Sequence, residues 1–379
     1  MKNRNAKGGG SVRQRDDGTW EARCTINGKR RSFYGTKQSE VVKAMRSALS
    51  SADNGTYTEP TKTTVEEWMN IWLKEYIKPS TKPLTYSTYN GKVASHIIPA
   101  IGKIKLTSLN PTQVQSFYND MLREKNLSPK TIKDVHGILH KALEQAVRAR
   151  YIAFNPADAC SVPRLVKKEI VPLSENDVEA FLGAIEGHIF QPLFTVTLFT
   201  GMREGEACGL PWDAVDFRKG TITIKQQLCR EKEKGGKHYI DTPKHDKVRV
   251  LTVPPFVLDI LRDVKTRQLQ DHLTIGTSYH NEFNLVFTYE DGGYIPPNTL
   301  RRHFKKIVTG IGRPDARFHD LRHTYAVNSL QEGDDYKTLQ ENLGHATAAF
   351  TLNVYGHVSD KMKRESATRM QRYFERVKA

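Results

Sequence analysis

The apolar residues of this chain change their period twice, and that change limits the fold more than any other feature of the sequence. Between the turn pairs Asp17-Gly18 and Asn27-Gly28, Trp20, Ala22, Cys24 and Ile26 alternate with Glu21, Arg23 and Thr25, the pattern of a strand with one buried face. Strand-like runs beyond these turns predict a small three-stranded sheet within residues 10–51, covered by a helix over residues 39–49. Residues 50–62, rich in Gly, Ser, Thr and Pro, read as a linker. From Thr63 the period becomes helical: Val65, Trp68, Met69, Trp72, Leu73 and Tyr76 share a face, and Thr64 with Glu67 has capping-box spacing. A second helix is predicted over residues 85–98, and Asn110-Pro111 and Ser128-Pro129 each start another. The last of these carries Ile132, Val135, Leu139, Ala142, Leu143 and Ala146 on one face. Asn155-Pro156 and Pro163 close a four-helix unit, and residues 164–172 read as a second linker. Beyond Leu173 the period is mixed: Ser174 caps a helix, residues 221–226 and 248–253 read as strands, and helices dominate afterwards, which predicts an α+β domain.

A chain of 379 residues exceeds one comfortable core, in keeping with several units. The net charge of +16 favours a polyanionic partner, either nucleic acid or a membrane surface. Each of the three stretches is net basic, which suits a protein that wraps nucleic acid; a merely soluble basic surface is the plain alternative. Residues 189–202 are short for a span and interrupted by Gln191, Pro192 and threonines, so they read as a buried helix, and no membrane partner is expected. Residues 1–10 lack an apolar stretch, hence no secretory signal and a cytoplasmic location. Cys24, Cys160, Cys208 and Cys229 form no CxxC and read as reduced packing residues.

Four segments of the last stretch carry chemistry: Thr200 to Glu206 (Thr-Gly-Met-Arg-Glu-Gly-Glu), Pro243-Lys244, Phe318 to His323 (Phe-His-Asp-Leu-Arg-His), and Leu343-Gly-His345 leading to Tyr355 and His357. Cutting a phosphodiester without a metal requires a nucleophile, cations on the non-bridging oxygens and a proton donor for the leaving oxygen. Arg203 and Arg322 suit the second role, since a guanidinium stays charged and bonds two oxygens at once. Taken alone, either reads more readily as a surface ion-pair residue, and Tyr355 is one of 15 tyrosines. His319 and His323, four apart, have the spacing of a metal pair, although no HExxH glutamate accompanies them.

Together these segments resemble the tyrosine recombinase (phage integrase) family, whose Gly-x-Arg-x-Gly-Glu, His-x-x-Arg, Leu-Gly-His and Thr-x-x-x-Tyr-x-His motifs occur here in the same order across residues 171–357. The resemblance implies that Tyr355 attacks the scissile phosphate, leaving a 3′-phosphotyrosyl link and a free 5′-hydroxyl. It implies that Arg203 and Arg322 hold the phosphate, that His319 assists with the tyrosine proton, and that His345 bonds a non-bridging oxygen. Lys244 would be the general acid; it follows Pro243 and precedes a strand as the family's hairpin lysine does, but His245 replaces the usual threonine, and Lys247 is the alternative. In family terms residues 1–55 resemble the arm-binding sheet-plus-helix domain of conjugative-transposon integrases, 62–163 the all-α core-binding domain, and 171–379 the mixed α+β catalytic domain with a C-terminal tail. Arg13, Arg15, Arg23, Lys29, Arg30 and Arg31 would give the small sheet its phosphate and base contacts, the plain alternative being a basic hairpin that only adds solubility. The implied partners are double-stranded DNA at core and arm attachment sites, three further copies of the chain in a homotetramer, an excisionase and a DNA-bending host factor, in a nucleoid-associated setting. In residues 361–379, Met362, Ala367, Met370, Phe374 and Val377 could form an apolar stripe that docks on a neighbouring subunit or packs on its own. No cofactor is implied, because the phosphotyrosyl link stores the energy of the broken bond.

Two rival readings stay open at this point. A type IB topoisomerase uses similar residue types, but two modules ahead of the catalytic segment suit synapsis of defined sites better than relaxation at many. A non-catalytic DNA-binding protein that kept the fold would be expected to lose the nucleophile or an arginine, and here all three are present.

Overall fold

A computed structural model describes residues 10–53, 62–165, 171–230, 236–344 and 360–378, and divides the chain into two units, residues 1–166 and 167–379. In the first unit, β1 (Ser11–Gln14), β2 (Trp20–Ile26) and β3 (Lys29–Gly35) form an antiparallel sheet in that order. Ala22, Cys24 and Ile26 are buried as their alternation predicts, against Val41 and Met45 of α1 (Gln38–Asp53). This helix runs past the expected residue 49, because Ala52 still packs on the sheet and serines do not by themselves end a helix. The polar face holds one exception, Glu21, which is buried and takes hydrogen bonds from Arg13 and Arg23 at 2.8 and 2.7 Å.

The helices that follow start where their caps dictate. Thr64 Oγ1 accepts from the Glu67 amide and Glu67 returns a carboxylate to the Thr64 amide, opening α2 (Val65–Trp72), which a π-turn over Leu73–Ile77 prolongs. The next helix, α3 (Pro83–Lys92), begins at its proline rather than at residue 85 and continues through a π-turn into α4 (Ile98–Ile101). Asn110 and Ser128 cap α5 (Pro111–Arg123) and α6 (Pro129–Arg148). The apolar face of α6 is fully buried, and the Trp68 indole donates to the Ala142 carbonyl at 2.8 Å, fixing α2 against it.

In the second unit, Ser174 caps α7 (Glu175–Ala184), and the apolar run near residue 189 becomes the buried α8 (Gln191–Thr200), followed by the short α9 (Glu204–Cys208). Strands β4 (Val215–Asp216), β5 (Thr221–Ile224), β6 (Gln227–Arg230), β7 (His238–Asp241) and β8 (Arg249–Thr252) make an antiparallel sheet ordered β4-β5-β8 and a separate β6–β7 ribbon. Helices α10 (Pro255–Ile275), α11 (Pro297–Gly310), α12 (Phe318–Gln331), α13 (Tyr336–Leu343) and α14 (Asp360–Lys378) complete it. Phe181, Phe194, Phe304 and Phe318 meet with centroids 5.6–6.1 Å apart, so α7, α8, α11 and α12 share one aromatic core. That core fixes α12, which carries His319 and Arg322, and α8, whose C-terminus leads into Arg203. No helix among the described residues is long and apolar enough to cross a membrane.

Candidate active site

Arg322 sits one turn beyond Phe318 on α12, so the aromatic core fixes its backbone, and its side chain is only 2% exposed. Its Nη1 donates to the Gly201 carbonyl at 2.7 Å and its Nη2 to that of Leu343. Gly201 ends α8 with φ +63°, and a Cβ there would lie 2.4 Å from the Tyr325 ring. Only glycine meets both demands. Two residues later Arg203 caps α9, its Nη1 bonded to Glu206 Oε1 at 2.7 Å and its Nη2 to the Gly344 carbonyl at 3.2 Å.

The two arginines therefore converge on the C-terminus of α13, where helical carbonyls lack partners and the helix dipole favours cations. A third joins them: Arg249, at the start of β8, donates Nε to the Asn342 carbonyl at 2.8 Å. Three successive carbonyls, those of Asn342, Leu343 and Gly344, thus each receive one guanidinium. Gly344 closes α13 in the left-handed region at φ +61°, which is the physical content of the Leu-Gly-His motif.

Glu206 links the arginines. Its Oε1 accepts from Arg203 Nη1 and Arg249 Nη1, and its Oε2 from the Arg203 amide and from Arg249 Nη2 at 2.6 Å. Burial opposes its ionisation, yet the hydrogen bonds and charge of Arg249, then the charge of Arg203, outweigh that and bring the carboxyl from 4.5 down to about 2. On α12 the His319 and His323 rings meet edge to face at 4.8 Å. The protein packed around His319, then the charges of His323 and Arg322, push its imidazole down to about 4, with Asp320 opposing and Arg203 adding a smaller lowering. His319 is consequently neutral at pH 7, a form able to accept a proton. Among the described residues no group of three or more His, Cys, Asp or Glu is arranged to hold a metal.

The sequence-predicted residues fall as follows. Arg203, His319 and Arg322 lie within one electrostatic cluster. Lys244 stands in an exposed turn, Lys244–Asp246, between β7 and β8, and Lys247 is exposed just beyond it. His345 and Tyr355 lie outside the described residues, as does His357; the chain enters that segment directly from Gly344. In the small sheet, Arg13, Glu21 and Tyr34 form one cross-strand row on the polar face, Arg23 pairs with Ser32, and Thr25 with Arg30. Arg15 lies over the exposed Tyr34 ring at 5.5 Å, and Lys29 is exposed at the hairpin end, whereas Arg31 shares the Phe33 side of β3. Sequence reasoning missed Arg249. The signal was faint: the arginine stands between Val248 and Val250, which turn outward, and two residues before the buried Leu251, so only strand parity places it on the inner face.

Residues 172–362 match the phage integrase family profile, and residues 64–122 match the N-terminal SAM-like domain of phage integrases. A protein named tyrosine recombinase XerC-like, from Caldanaerobacter subterraneus subsp. tengcongensis, is 31% identical over 89% of this chain and 90% of its own length. Among solved structures, the fold is similar to the Tn1549 transposon integrase in complex with transposon right end DNA, with TM-score 0.69 and 24% identity over 81% of this chain and 99% of that one. It is also similar to the lambda integrase in a tetramer bound to a Holliday junction, with TM-score 0.57 and 15% identity over 92% and 96% of the two chains.

Proposed function

Since the chain belongs to the phage integrase family and is a tyrosine recombinase, an enzyme that cuts and rejoins DNA through a tyrosine intermediate, we propose that Arg203 and Arg322 clamp the scissile phosphate while Tyr355 attacks it. The observation that carries this assignment is the convergence of both arginines on the consecutive carbonyls of Leu343 and Gly344, at the point where the chain leaves α13 towards His345 and Tyr355. Fixed guanidiniums aimed at developing negative charge stabilise a transition state without reorganising.

In the proposed step the Tyr355 oxygen bonds to phosphorus and the bond from phosphorus to the 5′-oxygen breaks. The tyrosine proton passes to neutral His319, Lys244 protonates the leaving 5′-oxygen, and His345 bonds a non-bridging oxygen. Attack of a 5′-hydroxyl from another strand reverses these transfers and reseals the DNA. On this reading the enzyme integrates and excises a mobile element, with residues 62–163 binding core sites, residues 171–379 forming the catalytic domain and residues 1–55 binding arm sites. The placement of Arg13, Arg23 and Arg30 on one sheet face, with Arg15 over the Tyr34 ring, supports the last of these. Strand exchange between two duplexes needs four subunits, and the exposed stripe of Met370, Tyr373, Phe374 and Val377 on α14 supports docking of the tail on a neighbour.

The test is a nicked core-site duplex whose 5′-hydroxyl fragment diffuses away after cleavage. The wild-type chain should accumulate a covalent protein–DNA adduct, and Tyr355→Phe should bind the duplex equally well and form none. An adduct in that variant would overturn the assignment.

A further inference from the structure

Strand β8 and the residue before it turn valines outward and an arginine inward. Val248 and Val250 are 60% and 59% exposed, whereas the Arg249 side chain between them is 8% exposed. Register explains the geometry: Arg249 is opposite Ile224 and Leu251 is opposite Ile222, so the arginine shares the face on which all three apolar residues are buried. Taking a guanidinium out of water is costly, and an apolar side chain of similar volume often stabilises such a position better. Packing alone therefore does not account for an arginine here.

Its bonds do. Arg249 forms a two-bond fork on Glu206, at 3.0 and 2.6 Å, and gives its remaining Nε to the Asn342 carbonyl. The same carboxylate holds both the backbone amide and the Nη1 of Arg203. Gly344 rests on the arginine stem, where an added Cβ would lie 3.0 Å from Arg249 Cδ. Without the fork, Glu206 would turn its whole charge on Arg203 and draw the guanidinium towards itself, away from a phosphate. With the fork, that charge is shared and Arg203 keeps attraction to spare for a phosphate.

We propose that Arg249 is a positioning residue for strand cleavage: by sharing Glu206 with Arg203 and bracing the last turn of α13, it holds the phosphate clamp in its reactive geometry without touching DNA itself. This rests on the assignment of Arg203 to the phosphate. Arg249 has no part in the proton delivery given to Lys244, so its loss damages the clamp and leaves leaving-group protonation alone.

The experiment compares the full-length wild type with Arg249→Lys, which keeps the charge but cannot form the fork, and with Glu206→Gln/Arg249→Met, which leaves no unpaired buried charge. Three quantities are read: the melting temperature, the affinity for a core-site duplex, and the single-turnover rate of adduct formation on nicked substrate at saturating DNA. Misplacement of a reacting group by about 1 Å costs about 10²-fold, so both variants should cleave 30- to 100-fold more slowly, by that same estimate, while affinity changes less than about threefold. The defect should persist on a 5′-phosphorothiolate substrate, whose leaving group needs no proton. The inference is overturned if a folded variant cleaves at the wild-type rate, if affinity falls as far as rate, or if the phosphorothiolate restores the rate. Should Arg249→Lys fail to fold, the double variant decides. Failure of the underlying assignment looks different, because the wild type itself would then form no Tyr355-dependent adduct.

Discussion

Replacing Glu206 with glutamine should destabilise the second unit by ~3 kcal/mol at pH 7, judged from the buried-pair and linkage magnitudes below. Two routes reach that figure. The carboxyl falls from 4.5 to about 2 on folding, and each pKa unit corresponds to about 1.4 kcal/mol, which gives ~3 kcal/mol. Independently, removing one partner of a buried ion pair costs about 3–5 kcal/mol, because the partner left behind is buried and uncompensated; here that partner is Arg249. A folded-state pKa below the unfolded one means stability that is complete above pH 4.5 and is lost as pH falls from there towards 2. The difference between wild type and Glu206→Gln should accordingly hold from pH 7 to 5 and narrow below 4.5. Hydrogen exchange of the buried amides of α8 and α12 in the full chain reads this directly, since ~3 kcal/mol accelerates globally protected amides by roughly 10²-fold. Exchange within about fivefold of wild type at pH 7 would refute the view that this carboxylate ties the arginines together.

Other outcomes follow from the same arrangement. Lys244→Ala should cleave poorly on ordinary DNA and recover on a 5′-phosphorothiolate substrate; equal damage on both would transfer the general-acid role to Lys247. Deleting residues 1–55 should leave cleavage at core sites and abolish binding to separate arm sequences, so undiminished binding of both segments by the truncated chain would contradict the arm-domain assignment. Truncation after Asp360 should spare DNA binding by one subunit while impairing tetramer assembly, as seen by sedimentation on synapsed duplexes; normal strand exchange by that protein would remove the tail from assembly.

What could be read in advance was local. Caps at Thr64, Asn110, Ser128 and Ser174 announced their helices because a side chain and an amide three residues on suffice to make the bond. The alternation of Ala22, Cys24 and Ile26 likewise carried its own burial. The helix over Gln38–Asp53 outran its expected end because tertiary packing of Ala52 outweighed a serine-rich composition. What could not be read was the long-range arrangement. Glu206 stood inside a recognised motif, but nothing in the spacing says that its carboxylate takes four hydrogen bonds, two of them from Arg249 on strand β8. Arg249 drew no reading of its own, because only the register with Ile224 places it on the inner face. Similarly, the six basic residues of the small sheet are equivalent by charge, and only strand parity separates the Arg13, Arg23 and Arg30 face from that of Arg31.

The central claim is that Tyr355 becomes bonded to a 3′-phosphate in a site framed by Arg203 and Arg322. Digesting the adduct trapped on nicked core-site DNA and locating the nucleotide-bearing peptide by mass spectrometry tests it most directly. The account predicts a single peptide containing Tyr355, with the tyrosine oxygen esterified to the 3′-terminal nucleotide. A nucleotide on any other residue, or a tyrosine joined to a 5′-end, would contradict it.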